Sequence, residues 1–177
     1  MTKDPDPRAT HGNDKRLNLK IRRMEIDDIA DVYHLGEQLF KAQDVPNMYR
    51  TWDEFEVVSL FNSDTEYCLV AELDEWIIGF ALGTTITKSH SAWKYGYLIW
   101  LGVTPEYQRM GVAEKLFRKF KDITLKEGVR MLIVDTPAEN LPALHFFRDL
   151  GFAHPRQHIY LTMNLDAEHQ KLKKKEG

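Results

Sequence analysis

A polar loop followed by small residues lies between an apolar strand and an amphipathic helix, and it reads Val-Thr-Pro-Glu-Tyr-Gln-Arg-Met-Gly-Val-Ala over residues 103–113. Pro105 ends the strand because proline cannot donate to a ladder, and Gly111 begins the helix. The first amides of a helix have no internal partner and carry the positive end of the helix dipole. Small side chains at Gly111 and Ala113 let a ligand approach those amides, and Arg109 adds a cation. The pattern favours a pyrophosphate site, although a glycine at a helix start is also common without a ligand.

Alternating strands and helices must position this loop. Apolar alternation and helical spacing predict the order β-α-α-β-β-β-α-β-α-β, a sandwich of one mixed sheet with helices packed against it. Asp74-Glu75 predicts a hairpin, and the capping box at residues 51–54 predicts a helix that carries Phe55, Val58 and Leu60. The predicted strands are 19–22, 67–73, 76–87, 95–103, a buried 131–134 and 159–164, and the other helices are 29–40, 112–128 and 142–150.

Composition indicates one globular domain. The chain has 177 residues, of which 43% are hydrophobic, enough for a sizeable core. A balance of 24 basic against 27 acidic residues argues against a general nucleic-acid or anionic-membrane binder. The single Cys68 excludes an internal disulfide and a cysteine-cluster zinc site. We expect a soluble, cytoplasmic protein with a disordered arm (1–18), a domain (19–165) and a charged tail (166–177).

Two motifs closely resemble the signatures of the GNAT superfamily of N-acetyltransferases. Residues 108–113 match Q/R-x-x-G-x-G/A, after a Val-x-Pro at residues 103–105 that is also similar. The second motif is Asn140-x-x-Ala143-x-x-Phe-Phe, followed by Leu-Gly-Phe at residues 150–152. The resemblance covers about residues 19–165. It implies an α/β (α+β) fold whose mixed, mostly antiparallel sheet is splayed at a cofactor cleft, with helices on both faces.

The resemblance implies acetyl-CoA as co-substrate, without a metal. Its pantetheine arm would lie along the backbone of Leu101, Gly102 and Val103, where a free N–H would polarise the thioester carbonyl. Gly102, isolated late in a strand, independently suggests a bulge or a close backbone approach. Asn140 resembles the family's cofactor-contacting asparagine, and it suits a helix N-cap equally well. The remaining positions assigned to cofactor binding are Gln108, Arg109, Met110, Gly111, Val112, Ala113 and Phe147.

Two carboxylates are candidates for the catalytic base. A lysine-like amine must lose a proton before it attacks, at a cost of about 4–5 kcal/mol at pH 7, and a carboxylate can accept that proton directly or through water. Asp135 lies five residues before Asn140, the spacing at which the bacterial ribosomal-protein N-terminal acetyltransferases of this family place their base glutamate. Glu72 is the rival, on a strand whose alternation would let it face the same cleft. Asp135 could instead be a solvent-facing acid that caps the following turn.

Phe147 departs from the family's pattern. Many members carry a tyrosine there, seven residues after the asparagine, that protonates the departing thiolate. Phenylalanine has no proton to give, which puts that step in doubt without affecting cofactor binding. A thiol pKa near 8.5 makes CoA a tolerable leaving group. Tyr160 and His145 are candidate substitutes, and His145 equally fits a helix surface.

Aromatic and acidic residues suggest where an acceptor could bind. One aromatic group, typical of sheet packing but also suited to an acceptor wall, comprises Trp93, Tyr95, Tyr97 and Trp100. Near the start of the second helix, Tyr49 and Trp52 could also line an acceptor site, because acceptor specificity in the family that the motifs resemble usually lies around the first two helices. The acids of that region, which would suit a cationic amine or simply form a solvated face, are Asp44, Asp53, Glu54 and Glu56.

Two functions remain open from sequence. The first is an N-acetyltransferase that moves acetyl from acetyl-CoA to a primary amine by direct attack in a ternary complex. Its acceptor would be a small amine, an amino acid, or a protein α-amino or lysine group. The alternative is a non-catalytic acyl-CoA-binding regulatory module, which Phe147 and the short acid Asp135 favour. Nucleic-acid binding through the lysines at 173–175 is disfavoured, and the resemblance makes a homodimer an expectation.

Overall fold

The computed structural model describes residues 18–40, 51–87, 93–157, 159, 163 and 165. The chain divides into two compact units, residues 1–135 and 136–177, which are described separately. No helix in the described ranges combines the length and apolar character that crossing a membrane requires.

One five-stranded sheet forms the centre of the first unit. Its strands are β1 (Leu19–Arg23), β2 (Cys68–Leu73), β3 (Trp76–Thr87), β4 (Lys94–Val103) and β5 (Met131–Ile133). They lie in the order β1-β2-β3-β4-β5, and every neighbouring pair is antiparallel except β4 and β5, which are parallel. The predicted mixed, mostly antiparallel sheet is confirmed.

The turn between β2 and β3 has the geometry that a two-residue hairpin requires. Asp74 and Glu75 have positive φ angles of 46° and 69°. Two consecutive left-handed residues match the twist of the flanking strands. The predicted hairpin is therefore confirmed.

Helices cover both faces of the sheet. Helices α1 (Ile29–Leu39) and α2 (Glu54–Ser63) share a core with β2, β3 and β4 on one face. On the other face lies α3 (Val112–Lys126), whose Phe120 packs so closely that a Cβ on Gly83 would lie 2.5 Å from its ring. This arrangement confirms the predicted fold class and fixes both ends of the loop that precedes α3.

Helix α2 begins later than predicted. Its N-cap is Asp53, whose carboxylate accepts a hydrogen bond from the Glu56 amide at 2.8 Å, and not Thr51. Aspartate ranks above threonine as an N-cap. Phe55 and Val58, two of the apolar residues that the predicted helix carries, are 76% and 39% exposed. The buried residues of this helix are instead Val57 and Leu60.

Strand β5 is not buried, so that prediction is wrong. Met131 and Ile133 are 47% and 37% exposed. Within the described ranges β5 stands at the end of the sheet and pairs with β4 alone, which leaves its outward side chains uncovered. The predicted strand at 159–164 falls largely outside the described residues, as do nearly all of the predicted arm and the whole of the charged tail.

The second unit contains helix α4 (Leu141–Asp149). Asn140 is its N-cap, and the side-chain oxygen accepts a hydrogen bond from the Ala143 amide at 3.2 Å. Gly151, just beyond the end of the helix, has a φ of 97°, a conformation that glycine adopts without strain. Both the predicted helix and its glycine stop are confirmed.

Candidate active site

The loop between β4 and α3 is anchored by hydrogen bonds to the sheet. The Thr104 amide and hydroxyl both donate to the carbonyl oxygen of Ile78, at 2.9 and 2.8 Å. The Gln108 side-chain amide donates to the carbonyl oxygen of Val103 at 3.0 Å. Between them the 3-10 turn Pro105–Tyr107 buries its tyrosine. Gln108, predicted to contact the cofactor, therefore fixes the shape of the loop.

Helix α3 begins with amides that no side chain of its N-cap can reach, because the N-cap is Gly111. The first helical hydrogen bond runs from Lys115 N to Gly111 O at 3.0 Å. The amides of Val112 and Ala113 precede it and lie at the positive end of the dipole. Gly111 has a φ of 78°, and a Cβ built on it meets no described atom within 4 Å. Open space therefore lies beside the N-cap residue that precedes these amides.

The charge around the helix start is favourable for an anion. Arg109 is exposed, with a φ of 61°. Glu114, the acidic residue of the first turn, is paired with Arg118, whose Nε lies 3.0 Å from its carboxylate. Exposed Met110 completes the turn before the helix. The geometry, open amides and cation fit a pyrophosphate group.

Strand β4 separates from β5 before its own end. The parallel pairing covers only Tyr95–Tyr97, whereas β4 continues to Val103. The register with β3 shifts between Leu82 and Gly83, which makes Ile99 the extra residue of a β-bulge. The ladder between β4 and β5 therefore ends at Tyr97, six residues before the end of β4.

Gly102 permits a close approach but is not the bulge residue. A Cβ on Gly102 would lie 2.7 Å from the Leu39 side chain of α1 and 3.2 Å from the ring of Phe80. The absence of a side chain thus lets α1 pack against β4. The bulge lies three residues earlier, at Ile99.

Asp135 follows β5 where β4 and β5 part, and its side chain is exposed. Its Oδ1 accepts a hydrogen bond of 2.7 Å from the hydroxyl of Tyr97 on β4. Tyr97 pairs with Ile133, two residues before Asp135, so alternation places both side chains on one face. Sequence reasoning grouped Tyr97 with packing aromatics, because only the strand register brings it to a carboxylate 38 residues away.

Glu72 lies elsewhere, on β2, which β3 separates from β4. Its carboxylate accepts hydrogen bonds from Arg22 at 2.6 Å and from Lys20 at 3.4 Å. Arg22 also contacts both oxygens of Asp28, at 2.6 and 2.8 Å, and Asp28 is only 8% exposed. The hydrogen bond from Arg22 holds the pKa of Glu72 below its usual value. A carboxylate bound to two cations is a poor proton acceptor.

Two tryptophans pack between the sheet and the first two helices. Trp52 stacks on Phe80 and meets Trp100 edge-on, with ring centroids 5.1 Å apart in both pairs. Trp52 Nε1 donates to the carbonyl oxygen of Tyr33 at 2.9 Å, and Trp100 Nε1 donates to Glu56 at 3.3 Å. Packing accounts for both rings, while Glu56 adds a carboxylate at the margin of the cluster.

The other sequence candidates occupy ordinary structural positions. Phe147 contacts Phe146 and Phe152 within the second unit, at centroid distances of 5.3 and 5.5 Å. His145 is exposed, as expected for a helix surface. Burial raises the pKa of the Cys68 thiol to about 12, which makes it a poor nucleophile. The candidates that lie outside the described residues are Asp44, Tyr49 and Tyr160.

Residues 29–152 match the family model described as the Acetyltransferase (GNAT) family. That match spans more than half of the chain, and the protein belongs to this family. It is therefore an acyltransferase, and the predicted class of reaction, transfer of an acetyl group from acetyl-CoA to an amine, is confirmed. Within the described ranges, no cluster of three or more histidine, cysteine or acidic residues could hold a metal ion.

Named relatives share this reaction class. The chain is 27% identical over 117 residues to N-alpha-acetyltransferase 30 of Schizosaccharomyces pombe, covering 66% of this chain and 69% of the relative. An aminoglycoside N-acetyltransferase, AAC(6')-Iy in complex with CoA, is 20% identical with a TM-score of 0.67, over 84% of this chain and 97% of that one. Arabidopsis thaliana Naa50 in complex with the bisubstrate analogue CoA-Ac-MVNAL is 17% identical with a TM-score of 0.65, over 79% and 86%. The two solved structures show a shared fold.

Proposed function

We propose that the protein acetylates the α-amino group at the N-terminus of a protein or peptide, with acetyl-CoA bound at the loop before α3. The glycine N-cap of α3, with open amides beside Arg109, carries the assignment of the acetyl-CoA site. The fission-yeast relative, named as an N-alpha-acetyltransferase, supports the α-amine as acceptor.

The chemistry of the amine also favours this acceptor. A terminal α-amine has a pKa of about 7.7–8.0, so roughly a tenth of it is already neutral near pH 7. A lysine side chain must instead be deprotonated at a cost of about 4–5 kcal/mol. The exposed Asp135 at the cleft can remove the proton from an α-amine as it attacks. Acidic residues near α2, among them Glu56, would attract the cationic form.

The proposed reaction is a direct attack in a ternary complex. Arg109 and the first amides of α3 hold the pyrophosphate, and the backbone of residues 101–103 lies along the pantetheine arm. The amine nitrogen bonds to the thioester carbon, whose carbonyl becomes an oxyanion that a β4 amide stabilises. Collapse of the oxyanion breaks the C–S bond and releases the CoA thiolate. Asp135 accepts a proton from the amine, and Glu72, held by two cations, takes no part. The cofactor-binding roles of Asn140 and Phe147 stay predictions from the sequence.

Gly111→Glu tests the cofactor site, and helix α3 offers a matched control. Gly128, at the other end of the helix, has a φ of 73° and a Cβ there also meets no described atom within 4 Å. Gly128→Glu therefore introduces the same charge and the same backbone strain away from the loop. We expect isothermal titration to show at least about a hundredfold weaker binding of acetyl-CoA and CoA for Gly111→Glu only, because a carboxylate would face the pyrophosphate. Equal binding by the two variants would remove the loop as the cofactor site.

An acceptor panel tests the α-amine. Peptides with a free N-terminus, the same peptides blocked at the N-terminus but carrying lysine, and small polyamines are each incubated with acetyl-CoA. CoA thiol release and peptide mass are measured. Acetylation of the free N-terminus in preference to lysine supports the proposal. Acetylation of lysine or of a polyamine alone would show that the acceptor is not an α-amine. The proposed cofactor site would be unaffected by that result.

A further inference from the structure

A groove of about 430 Å³ lies between strand β1 and the second half of helix α3. Ile21 and Arg23 line it from the strand, and Lys119, Ile123 and Lys126 line it from the helix. We propose that this groove is a docking site for an acidic, extended peptide segment of another protein, which pairs with β1 as an additional antiparallel strand. The proposal goes beyond acetyl transfer and does not depend on it.

Three exposed cations border the groove, namely Arg23, Lys119 and Lys126. The two lysines are about two turns of α3 apart, so they lie on one face of that helix. In the part of the chain that the structure describes, none of the three cations forms an ion pair with a carboxylate. Their charge is therefore available to an acidic partner.

The other two charged residues of the lining already have partners of opposite charge. The guanidinium of Arg22 contacts Glu72 and Asp28 at 2.6 Å each, on the opposite face of β1. The carboxylate of Glu127 lies 3.8 Å from the Nζ of Lys94. Because both charges are compensated, an acidic segment would meet a surface of net positive charge.

The backbone of β1 offers hydrogen bonds at the same place. Within the described ranges β1 pairs with β2 alone. The amide of Met24, directly after β1, donates to the carbonyl oxygen of Cys68 at 2.9 Å, and residues of an antiparallel ladder alternate between hydrogen-bonded and non-hydrogen-bonded pairs. Counted back from Met24, the amides of Ile21 and Arg23 therefore point away from β2. The residues whose side chains line the groove also present backbone groups to an added strand.

The floor of the groove is apolar, which favours a peptide over a nucleic acid. Ile21 and Ile123 are half-buried between the cations. An extended peptide presents alternate side chains to one face, so its acidic residues can meet the cations while an apolar residue between them covers the isoleucines. Single-stranded nucleic acid instead stacks its bases on aromatic rings, and the described residues that line the groove include no aromatic side chain.

The groove is separate from the proposed acetyl-CoA site. Helix α3 begins at Val112. With a rise of 1.5 Å per residue, Lys119 lies about 10 Å and Lys126 about 21 Å further along the helix axis. A segment bound in the groove would leave the amides at the helix start uncovered. Docking is therefore compatible with acetyl transfer by the same molecule.

A synthetic peptide provides the probe. Its sequence, Glu-Thr-Val-Thr-Glu-Thr-Val-Thr-Glu, alternates acidic or apolar residues with threonine, and its blocked N-terminus leaves no amine to be acetylated. With a fluorophore at its C-terminus, we expect anisotropy to show binding to the full chain that weakens as the salt concentration rises. The same peptide with lysine in place of glutamate should not bind. No binding of the acidic peptide up to about 1 mM would overturn the proposal.

Two lysines of α3 give a matched pair of variants. Lys119 lines the groove, whereas Lys121 is exposed on a different face of the helix. Lys119→Glu should weaken peptide binding by at least about tenfold, because it replaces an attraction with a repulsion, and Lys121→Glu by less than about twofold. Arg23→Glu, on the strand, should behave as Lys119→Glu does. Unaltered CoA binding in all three variants would show that they are folded, and equal losses at Lys119 and Lys121 would overturn the proposed groove.

A methylated peptide tests strand pairing without changing the protein. In an antiparallel pair, residues opposite Ile21 and Arg23 exchange hydrogen bonds with them and share their face, so the glutamate and valine amides of the peptide would face β1. Methylation of those nitrogens keeps the charge and should weaken binding by at least about tenfold. Binding of the unmodified peptide should slow hydrogen exchange at Ile21 and Arg23 but not at Met131 and Ile133 of β5. Equal binding of the methylated peptide would overturn the strand pairing.

The same variants distinguish other occupants of the groove. An RNA of matching length that binds more tightly than the peptide, and is lost in Lys119→Glu, would overturn the proposal in favour of nucleic acid. A dimer in sedimentation equilibrium that dissociates in Arg23→Glu would overturn it in favour of a second copy of the chain. Peptide binding by a protein that acetylates no amine would leave the docking site standing, and only the proposed function would fail.

Discussion

Asp135, two residues beyond β5, and Glu72, on β2, were the two sequence candidates for the base. Asp135 is exposed just beyond the end of β5 and accepts a hydrogen bond from the hydroxyl of Tyr97. Glu72 accepts hydrogen bonds from two cations, and the nearer contact, with Arg22, is 2.6 Å. The residue type is almost the same, so the partners alone distinguish the two sites.

The comparison shows how a partner's charge determines what a carboxylate can do. An arginine stays protonated at any physiological pH, so a proton can reach Glu72 only by weakening an ion pair. That ion pair continues to Asp28 at the start of α1, and it links β1, β2 and this helix. Protonation of a carboxylate beside a phenol breaks no ion pair, because the phenol carries no charge. Glu72 therefore contributes to stability, and Asp135 stays the proposed base.

The largest expected effect is on activity, and it compares the two carboxylates directly. Asp135→Asn should lower kcat/KM by about a hundredfold, because the amide cannot accept the proton, without changing the free energy of unfolding. Glu72→Gln should keep kcat/KM within about twofold and lower the free energy of unfolding by about 1 kcal/mol. Steady-state kinetics and urea unfolding measure both quantities. The opposite pattern would make Glu72 the base.

Arg22→Met should be the more damaging change to the stabilising cluster. It leaves Asp28, which is 8% exposed, without the guanidinium that contacts both its oxygens. A buried carboxylate without its partner costs about 2 kcal/mol or more, so the free energy of unfolding should fall by about 2 kcal/mol. Arg23→Met, on the opposite face of β1, is the control and should change it by less than about 0.5 kcal/mol. Similar losses in both variants would mean that the ion pair is not the cause.

Local signals made much of the site predictable. Pro105 and Gly111 mark the ends of the loop because each restricts or permits a specific backbone conformation. The hairpin at Asp74 and the cap at Asn140 are likewise set by neighbouring residues. Helix α2 shows the limit of such signals, since Thr51 and Asp53 could each cap it. The capping-box pattern predicted Thr51, whereas the N-cap in the structure is Asp53, the stronger capping residue.

The remaining features depend on pairing between distant strands. The contact of Tyr97 with Asp135 spans 38 residues, and that of Arg22 with Glu72 spans 50. The bulge at Ile99 decides which side chains of β4 share a face, and no local pattern marks it. A one-residue change of register would reverse those faces, so a single sequence could nominate the two acids but not assign their roles.

Acid sensitivity gives the smallest effect and tests the ion pairs of Arg22 once more. Burial raises the pKa of Asp28, but hydrogen bonds from Arg22 and from the Glu25 amide outweigh it, and the net pKa is lowered. The pKa of Glu72 is also lowered, mainly by the hydrogen bond from Arg22. A lowered pKa in the folded state gives stability that is complete above the unfolded values, about 4, and is lost as the pH falls through the folded value.

Urea unfolding between pH 7 and pH 3 should therefore show a free energy of unfolding that declines below about pH 4. The decline should be shallower in Arg22→Met, because the groups that lower both pKa values are gone. Arg23→Met should leave the wild-type slope unaltered, since that side chain lies on the opposite face of β1. An identical slope in the wild type and Arg22→Met would mean that other groups cause the acid sensitivity. Glu72 would then again be a candidate for a role other than stability.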